Sequence, residues 1–219
     1  MTTISKYGFS IVSRILGLAL VANLLVQVLV VDGTVKTAVL LISILFTFFV
    51  LYFFRDPARI SPVGDHLILS PADGKIVHVG SARDPDFLDL ESIQISIFLS
   101  PLDVHVNRIP ISGKVRHLRY VRGEYLVAFH EKASQKNERT VIGIDNGKFK
   151  VLMRQVAGFV ARRIVCNLKV DDDVKAGERF GMIKFGSRVD VLVPTQADIK
   201  VDVDDRVVAG ETVLAVCRT

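Results

Sequence analysis

The sequence predicts a mainly β protein, a flattened β-barrel or sandwich, preceded by a hydrophobic helical hairpin. Three observations support this fold class. Two long uncharged runs lie in the first quarter of the chain. Beyond residue 60, short runs rich in β-branched residues alternate with Gly, Pro, Asn and Asp, and no long segment has the 3.6-residue period of a helix. Near the C-terminus, a nine-residue pattern occurs twice.

Composition limits the classes of partner. The 219 residues suffice for one domain plus an appendage, half of them are hydrophobic, and mean hydropathy is +0.39. Net charge is +5, but no run is dense in Lys and Arg, so nucleic acid is a poor candidate partner. A basic protein with an apolar end fits an anionic membrane surface better. The two cysteines form no metal-ligand spacing and no disulfide framework, which indicates a reducing compartment.

The first 54 residues are predicted to form a membrane-associated helical hairpin. Ile15–Val31 and Thr37–Phe54 contain no charged residue, and each is about 26 Å long as a helix, enough for the hydrocarbon core. The Asp32-Gly33 turn separates them. A signal peptide would explain one run and not two, and the alternative of a buried core helix is less favoured. Basic residues lie beyond both ends of the hairpin, which predicts both termini in the cytoplasm: Lys6, Arg14, Arg55 and Arg59.

Residues 55–219 are predicted to form one β domain. Pro57 disfavours helix at Asp56, so the second helix should end there. The predicted strands are Lys75–Gly80, Ile93–Leu99, Gly113–Tyr120, Thr140–Ile144, Phe149–Met153, Val160–Val165, Phe180–Lys184 and Val189–Val193. Tyr125–Ala133 is predicted to be a short helix or a lid.

The repeated pattern near the C-terminus resembles the half-motifs of biotinyl and lipoyl carrier domains, which are flattened β-barrel sandwiches. Val170–Glu178 matches Val203–Glu211, each an acidic turn followed by Ala-Gly-Glu. Ser187 falls after the first copy, about where those carriers present their modified lysine. A carrier module modified at Lys184 is therefore an alternative, although Lys184 lacks the Met-Lys-Met setting and a carrier has no use for a membrane hairpin.

Gly186-Ser187 lies between two strand-like runs, Phe180–Lys184 and Val189–Val193. Gly in a strand interior often marks a bulge or a close backbone approach, and it can hold a strained peptide bond. A serine after glycine can also attack the carbonyl that precedes it. The peptide then becomes an ester, and elimination leaves a dehydroalanine that loses ammonia to give an N-terminal pyruvoyl group. A bulge or hairpin tip is the structural alternative.

The residues around Ser187 resemble the self-cleavage site of short-form phosphatidylserine decarboxylases. Phe185-Gly186-Ser187-Arg188 with Asp190 carries the resemblance. Four further stretches match the same family in its order: Phe53–Arg59, Ser70–Gly74, Ser100–Arg108 and Asn137–Arg139. The resemblance therefore extends from about Phe53 to the end of the chain.

This resemblance implies the activity. The family decarboxylates phosphatidylserine to phosphatidylethanolamine in phospholipid biosynthesis. It implies autocatalytic cleavage between Gly186 and Ser187, giving a heterodimer of a β chain, 1–186, and an α chain, 187–219. The covalent pyruvoyl group from Ser187 forms a Schiff base with the lipid amine and withdraws electrons. No metal is required. The expected location is the cell membrane, with the catalytic domain on the cytoplasmic side.

Asp73 and His105 are the residues that the resemblance assigns to activating Ser187. Taken alone, Ser-Pro-Ala-Asp-Gly-Lys is an ordinary β-turn, and His105 alternates with Val104 and Val106 as a structural strand residue would. The other four histidines are interpreted as structural: His66, His78, His117 and His130. Long-form relatives have a second histidine where this chain has Arg108. Either His105 performs both processing and decarboxylation, or Arg108 binds phosphate or carboxylate.

Two alternative substrates stay open. Archaetidylserine, an ether lipid, shares the serine head group, and the sequence does not separate it from the ester lipid. Small-amine pyruvoyl decarboxylases use similar chemistry, but they are soluble proteins.

Overall fold

The computed structural model describes residues 2–88, 91–124, 136–158, 164–184 and 187–217. Its residue contacts divide the chain into two compact units, Met1–Ala58 and Arg59–Thr219. Several predicted features lie outside the described residues: the helix or lid at Tyr125–Ala133, most of the strand at Val160–Val165, and residues Phe185 and Gly186 of the cleavage motif.

The N-terminal unit is a helical hairpin closed by a short sheet. Helix α1 spans Phe9–Leu29 and α2 spans Gly33–Phe53. The Asp32 carboxylate begins α2 by accepting backbone hydrogen bonds from the first turn, at 2.7 and 3.2 Å. Strand β1, Thr2–Ile4, pairs antiparallel with β2, Arg55–Pro57, so both ends of the hairpin meet. Both helices are long and apolar enough to cross a membrane, and they suggest membrane association.

In its described residues, the second unit consists mainly of strands and connecting turns. The strands are β3 (Leu67–Leu69), β4 (Gly74–Arg83), β5 (Glu91–Leu99), β6 (Val106–Arg108), β7 (Gly113–Val121), β8 (Arg139–Asp145), β9 (Lys150–Val156), β10 (Ile164–Cys166), β11 (Asp173–Val174), β12 (Arg179–Ile183), β13 (Ser187–Pro194), β14 (Asp198–Ile199), β15 (Arg206–Val207) and β16 (Val213–Val216). The prediction of a mainly β protein with an N-terminal hairpin is confirmed.

Eight strands form one antiparallel sheet in the order β11-β7-β8-β9-β13-β5-β4-β15. Two three-stranded sheets, β10-β12-β6 and β14-β16-β3, complete the unit. The large sheet curls around a core of buried aliphatic side chains, among them Ile97, Val189 and Val191. Strand β13 lies between β9 and β5, so Ser187 begins a central strand of the sheet.

The unit has internal two-fold character. The predicted repeat is confirmed in conformation: Asp171 and Asp204 both adopt positive φ, at 71° and 82°. Gly177 and Gly210, each six residues later, do the same at 80° and 74°, a region that favours glycine. A second repeat relates β3–β4 to β6–β7 at an offset of 39 residues. Its hydrogen bonds correspond, because Gly210 N–H donates to Ser70 O at 2.7 Å as Gly177 N–H donates to Ile109 O at 2.8 Å.

Two details differ from the sequence expectation. Arg55–Pro57 is a strand rather than a simple turn after α2, because Thr2–Ile4 offers it a backbone partner. His105 does not alternate across a strand with its neighbours. Strand β6 begins one residue later, at Val106, and Val104, His105 and Val106 are all buried.

Candidate active site

Ser187 stands at the beginning of β13, opposite Leu99 at the end of β5. Its side chain is fully buried, and its Oγ has no hydrogen-bond partner within the described part of the chain. Buried hydroxyls in native proteins nearly always have a partner, so such a group calls for a functional explanation. The residue before it, Gly186, lies outside the described residues.

His105 is brought to the same end of the sheet by the loop that follows β5. The loop leaves β5 at Leu99, opposite Ser187, and returns at His105, whose carbonyl accepts a hydrogen bond from Ile183 N–H at 3.3 Å. His105 and Ser187 are both fully buried, His105 in the loop that follows β5 and Ser187 at the start of the neighbouring β13.

A hydrogen bond determines the tautomer of His105. Its Nδ1 lies 2.9 Å from the main-chain carbonyl oxygen of Asp103, which only accepts. Nδ1 therefore carries the proton in the neutral ring, and Nε2 is the basic nitrogen. The Asp103 carboxylate fixes the loop itself, because it accepts from Ser100 N–H at 2.8 Å and pairs with Arg206 at 3.0 Å.

Asp73 occupies the turn that its sequence predicts. One carboxylate oxygen accepts from Ala209 N–H at 2.8 Å, and the other pairs with Arg59 at 2.8 Å. The corresponding turn in the other half of the barrel has Ser112, whose hydroxyl accepts from Ala176 N–H at 3.0 Å. This correspondence indicates a structural task for Asp73 in the turn. Its task towards a histidine stays a prediction.

Arg108 is buried close to the two-fold axis of the barrel. Its guanidinium donates to the Gly177 carbonyl at 2.9 Å, and its backbone N–H donates to Pro71 O at 2.9 Å. These bonds fix β6 against the glycine turn of the first repeat. The binding of substrate by Arg108 stays a prediction.

The residues after Ser187 anchor β13 on the opposite face of the sheet. Arg188 Nε lies 2.8 Å from Asp190 Oδ1, and both side chains are almost fully buried. Removing one partner of a buried ion pair leaves an uncompensated charge, which costs about 3–5 kcal/mol. The pair therefore fixes the start of the strand that carries Ser187.

Comparison with known proteins identifies the family. The family model for phosphatidylserine decarboxylase matches residues 46–215. A phosphatidylserine decarboxylase proenzyme from Prosthecochloris aestuarii is 47% identical over 96% of both chains. Proenzymes of the same name from Chlorobium chlorochromatii and Amoebophilus asiaticus are 51% and 45% identical, over 78% and 98% of this chain and 81% and 96% of theirs. The chain belongs to the phosphatidylserine decarboxylase family.

Family membership and burial both disfavour the carrier alternative. A carrier lysine must be exposed to be modified, whereas Lys184 of this phosphatidylserine decarboxylase is 7% exposed. The shared sandwich architecture explains the resemblance to carrier half-motifs, because fold alone does not determine function.

Three polar residues of the site were not singled out from the sequence. Asn137 donates to the Ala157 carbonyl at 2.7 Å, and so ties the Asn-Glu-Arg motif to the end of β9 beside β13. Gln155 donates to Asn107 Oδ1 at 2.8 Å inside the barrel. Asn107 and Asn137 lie in family motifs, whereas Gln155 alternates along a strand and gives no local signal.

Proposed function

We propose that this phosphatidylserine decarboxylase is made as a precursor that cleaves itself between Gly186 and Ser187. The products are the β chain, 1–186, and the α chain, 187–219, which stay together as a heterodimer. The observation that carries this proposal is the buried Ser187 hydroxyl, which has no hydrogen-bond partner among the described residues and begins β13 opposite the end of β5, where the loop to His105 starts. The proenzyme names of the relatives also support processing.

The cleavage converts one peptide bond in balanced steps. His105 Nε2 takes the proton of Ser187 Oγ as the oxygen attacks the carbonyl carbon of residue 186. The C–N bond breaks, nitrogen gains a proton, and an ester joins the two chains. Loss of the α-proton of residue 187 then expels the carboxylate of residue 186. Water replaces the nitrogen, ammonia leaves, and residue 187 ends as a pyruvoyl group.

The site fits that group. The pyruvoyl ketone, when formed, supplies the carbonyl that condenses with the lipid amine and the electron sink for the departing carbon dioxide. Ser187 is fully buried, which favours a group at this position that is protected from water. His105, in the loop that follows β5, is proposed to return a proton to the α-carbon of the substrate. We keep Arg108 as a candidate ligand for the phosphate or carboxylate of the lipid.

The direct test is decarboxylation by purified protein. Phosphatidylserine labelled with ¹³C in the serine carboxyl should release labelled carbon dioxide and leave phosphatidylethanolamine, both measured by mass spectrometry. An ether-linked serine lipid serves as comparison for the archaetidylserine alternative. Equal absence of labelled gas with both lipids, from protein shown to be processed, would refute the proposed reaction.

Asp73 is proposed to orient His105 during cleavage, and the barrel's symmetry offers a test. In Asp73→Ser, a hydroxyl can still accept from Ala209 N–H, as Ser112 does for Ala176. The carboxylate is lost, so cleavage should slow by about 10⁴-fold and precursor should accumulate on denaturing gels, as for loss of a triad acid. Asp73→Asn should behave alike. Ser112→Ala is the matched control and should cleave normally, whereas wild-type cleavage of Asp73→Ser would reduce Asp73 to a turn residue.

We further propose that residues 1–54 hold the enzyme in the cell membrane and that residues 55–219 form the catalytic domain on the cytoplasmic side. The β1–β2 sheet brings both ends of the hairpin together, which supports a common side for them. Basic residues outside both helices favour the cytoplasm for that side.

Cysteine labelling in intact cells tests the topology. Thr34→Cys, in the first turn of α2, should react with an impermeant maleimide from outside. Val63→Cys, at a position 98% exposed, should react only after lysis. Burial raises the pKa of the native Cys166 and Cys217 thiols, which makes both slow to react. External labelling of Val63→Cys would contradict the cytoplasmic assignment.

A further inference from the structure

Gln155 lies inside the barrel, with its amide nitrogen bound. It is fully buried on β9, and its Nε2 donates to Asn107 Oδ1 at 2.8 Å and to the Val165 carbonyl at 3.4 Å. The fold makes room for this amide at Gly181, where an added Cβ would lie 3.2 Å from Gln155 Nε2 and 2.1 Å from Val165 O. Gln155 is thus held in one position by three strands.

The orientation of both amides follows from main-chain carbonyls, which only accept. Val165 O requires a nitrogen from Gln155, and Pro71 O, 3.4 Å from Asn107 Nδ2, requires a nitrogen from Asn107. The side-chain oxygen of Gln155 therefore takes no part in the bonds to Asn107 and Val165. Gln155 Oε1 is buried and has no hydrogen-bond partner among the residues that the structure describes.

The register of the sheet places the Gln155 side chain beside Ser187. Gln155 is directly opposite Val189, and Ser187 is two residues before Val189 on the same strand. Residues two apart on a strand share a face, and diagonal cross-strand neighbours are within reach of long side chains. Two buried polar atoms, Ser187 Oγ and Gln155 Oε1, thus share the inner face of the sheet without a bond to each other.

Because Gln155 Oε1 can only accept a hydrogen bond, a ligand that binds it must carry a hydrogen-bond donor. A buried acceptor left unsatisfied costs about 1–3 kcal/mol, so a ligand that donates to it gains binding free energy. The phosphodiester and the ionised carboxylate of a serine lipid only accept hydrogen bonds. The head-group nitrogen is the part that carries N–H as an ammonium ion or as an amine.

We propose that Gln155 Oε1 is the hydrogen-bond acceptor for the substrate's amine nitrogen. Gln155 then orients that nitrogen towards residue 187, and Asn107 holds Gln155 in place. This assignment rests on the proposed function, because it presumes that the lipid amine reaches the group derived from Ser187. It makes Gln155 a substrate-binding residue that cleavage of the precursor does not need.

The experiment compares processed wild-type enzyme with Gln155→Met, which keeps the length of the side chain and removes the acceptor. Each protein is incubated with increasing phosphatidylethanolamine, an amine lipid without a carboxylate, and treated with cyanoborohydride. The mass of the α chain reports the fraction that carries lipid. We expect normal self-cleavage in Gln155→Met and a half-saturating lipid concentration about 10- to 100-fold higher, the effect of losing a hydrogen bond to a charged group.

Gln155→Glu retains an oxygen acceptor but loses the donor to Asn107 and Val165, so its half-saturating concentration should lie between those of wild type and Gln155→Met at neutral pH. Unchanged half-saturation in Gln155→Met would overturn the assignment. A second outcome would also overturn it: both variants remain uncleaved although thermal unfolding shows that both are folded. Gln155 would then act on Ser187 before substrate binds. Failure of wild-type protein to cleave or to trap any amine lipid would instead refute the proposed function.

Discussion

Ser187→Ala should remain a single chain of 219 residues and should release no carbon dioxide from phosphatidylserine. Without the hydroxyl no ester forms, so neither the α chain nor its pyruvoyl group arises. The expected loss of turnover is complete rather than partial, because the cofactor is absent. Denaturing gels and the labelled-carboxyl assay measure the two effects in one preparation.

Ser96→Ala is the matched control for this substitution. Ser96 is also fully buried in the large sheet, where its hydroxyl accepts from Gln94 at 2.9 Å. It lies opposite Asp190, on the other face from Ser187. Ser96→Ala should cleave and turn over normally. A Ser187→Ala protein that still separates into two chains would place the cleavage elsewhere.

His105→Ala should be the next largest defect and should block cleavage, slowing it by at least the roughly 10⁴-fold expected for loss of Asp73, because the base itself is removed. Any protein that cleaves on long incubation should still attach lipid amine under borohydride reduction, yet decarboxylate poorly. Both defects are expected from the proposal that His105 serves cleavage as well as decarboxylation. Cleavage time courses and adduct masses separate the two steps.

His66→Ala provides the control, since the two-fold relation makes His66 the counterpart of His105. The carbonyl of His66 accepts from Cys217 N–H at 2.9 Å, as that of His105 accepts from Ile183. Its side chain is half exposed, whereas that of His105 is fully buried. His66→Ala should therefore cleave and decarboxylate normally. If His105→Ala also cleaves itself and decarboxylates phosphatidylserine normally, the base must be one of the remaining histidines.

The fold was largely predictable because its determinants are local. Uncharged runs of helical length, β-branched segments and Gly or Asp turns act over a few residues, and the helices and most strands form where these signals occur. The offset-33 repeat also appears in conformation, at Gly177 and Gly210. The second repeat has a weaker sequence signal, the alignment of Gly74-Lys75 with Gly113-Lys114 at an offset of 39 residues.

The site was less predictable, because its contacts join distant parts of the chain. The Asp-Gly sequence predicts a turn at Asp73, but Arg59 and Ala209 as its partners depend on closure of the barrel. Arg55–Pro57 forms a strand only because Thr2–Ile4 returns to it. Gln155 becomes notable only when the register shows that it shares a face with Ser187.

Intact mass spectrometry of the purified wild-type protein tests the central claim most directly. Self-cleavage at Gly186–Ser187 predicts two masses, those of 1–186 and 187–219. The smaller chain should be lighter than its sequence by the conversion of serine to pyruvoyl, and it should be closed to N-terminal sequencing. A single mass at 24.2 kDa in a preparation that decarboxylates phosphatidylserine would contradict it.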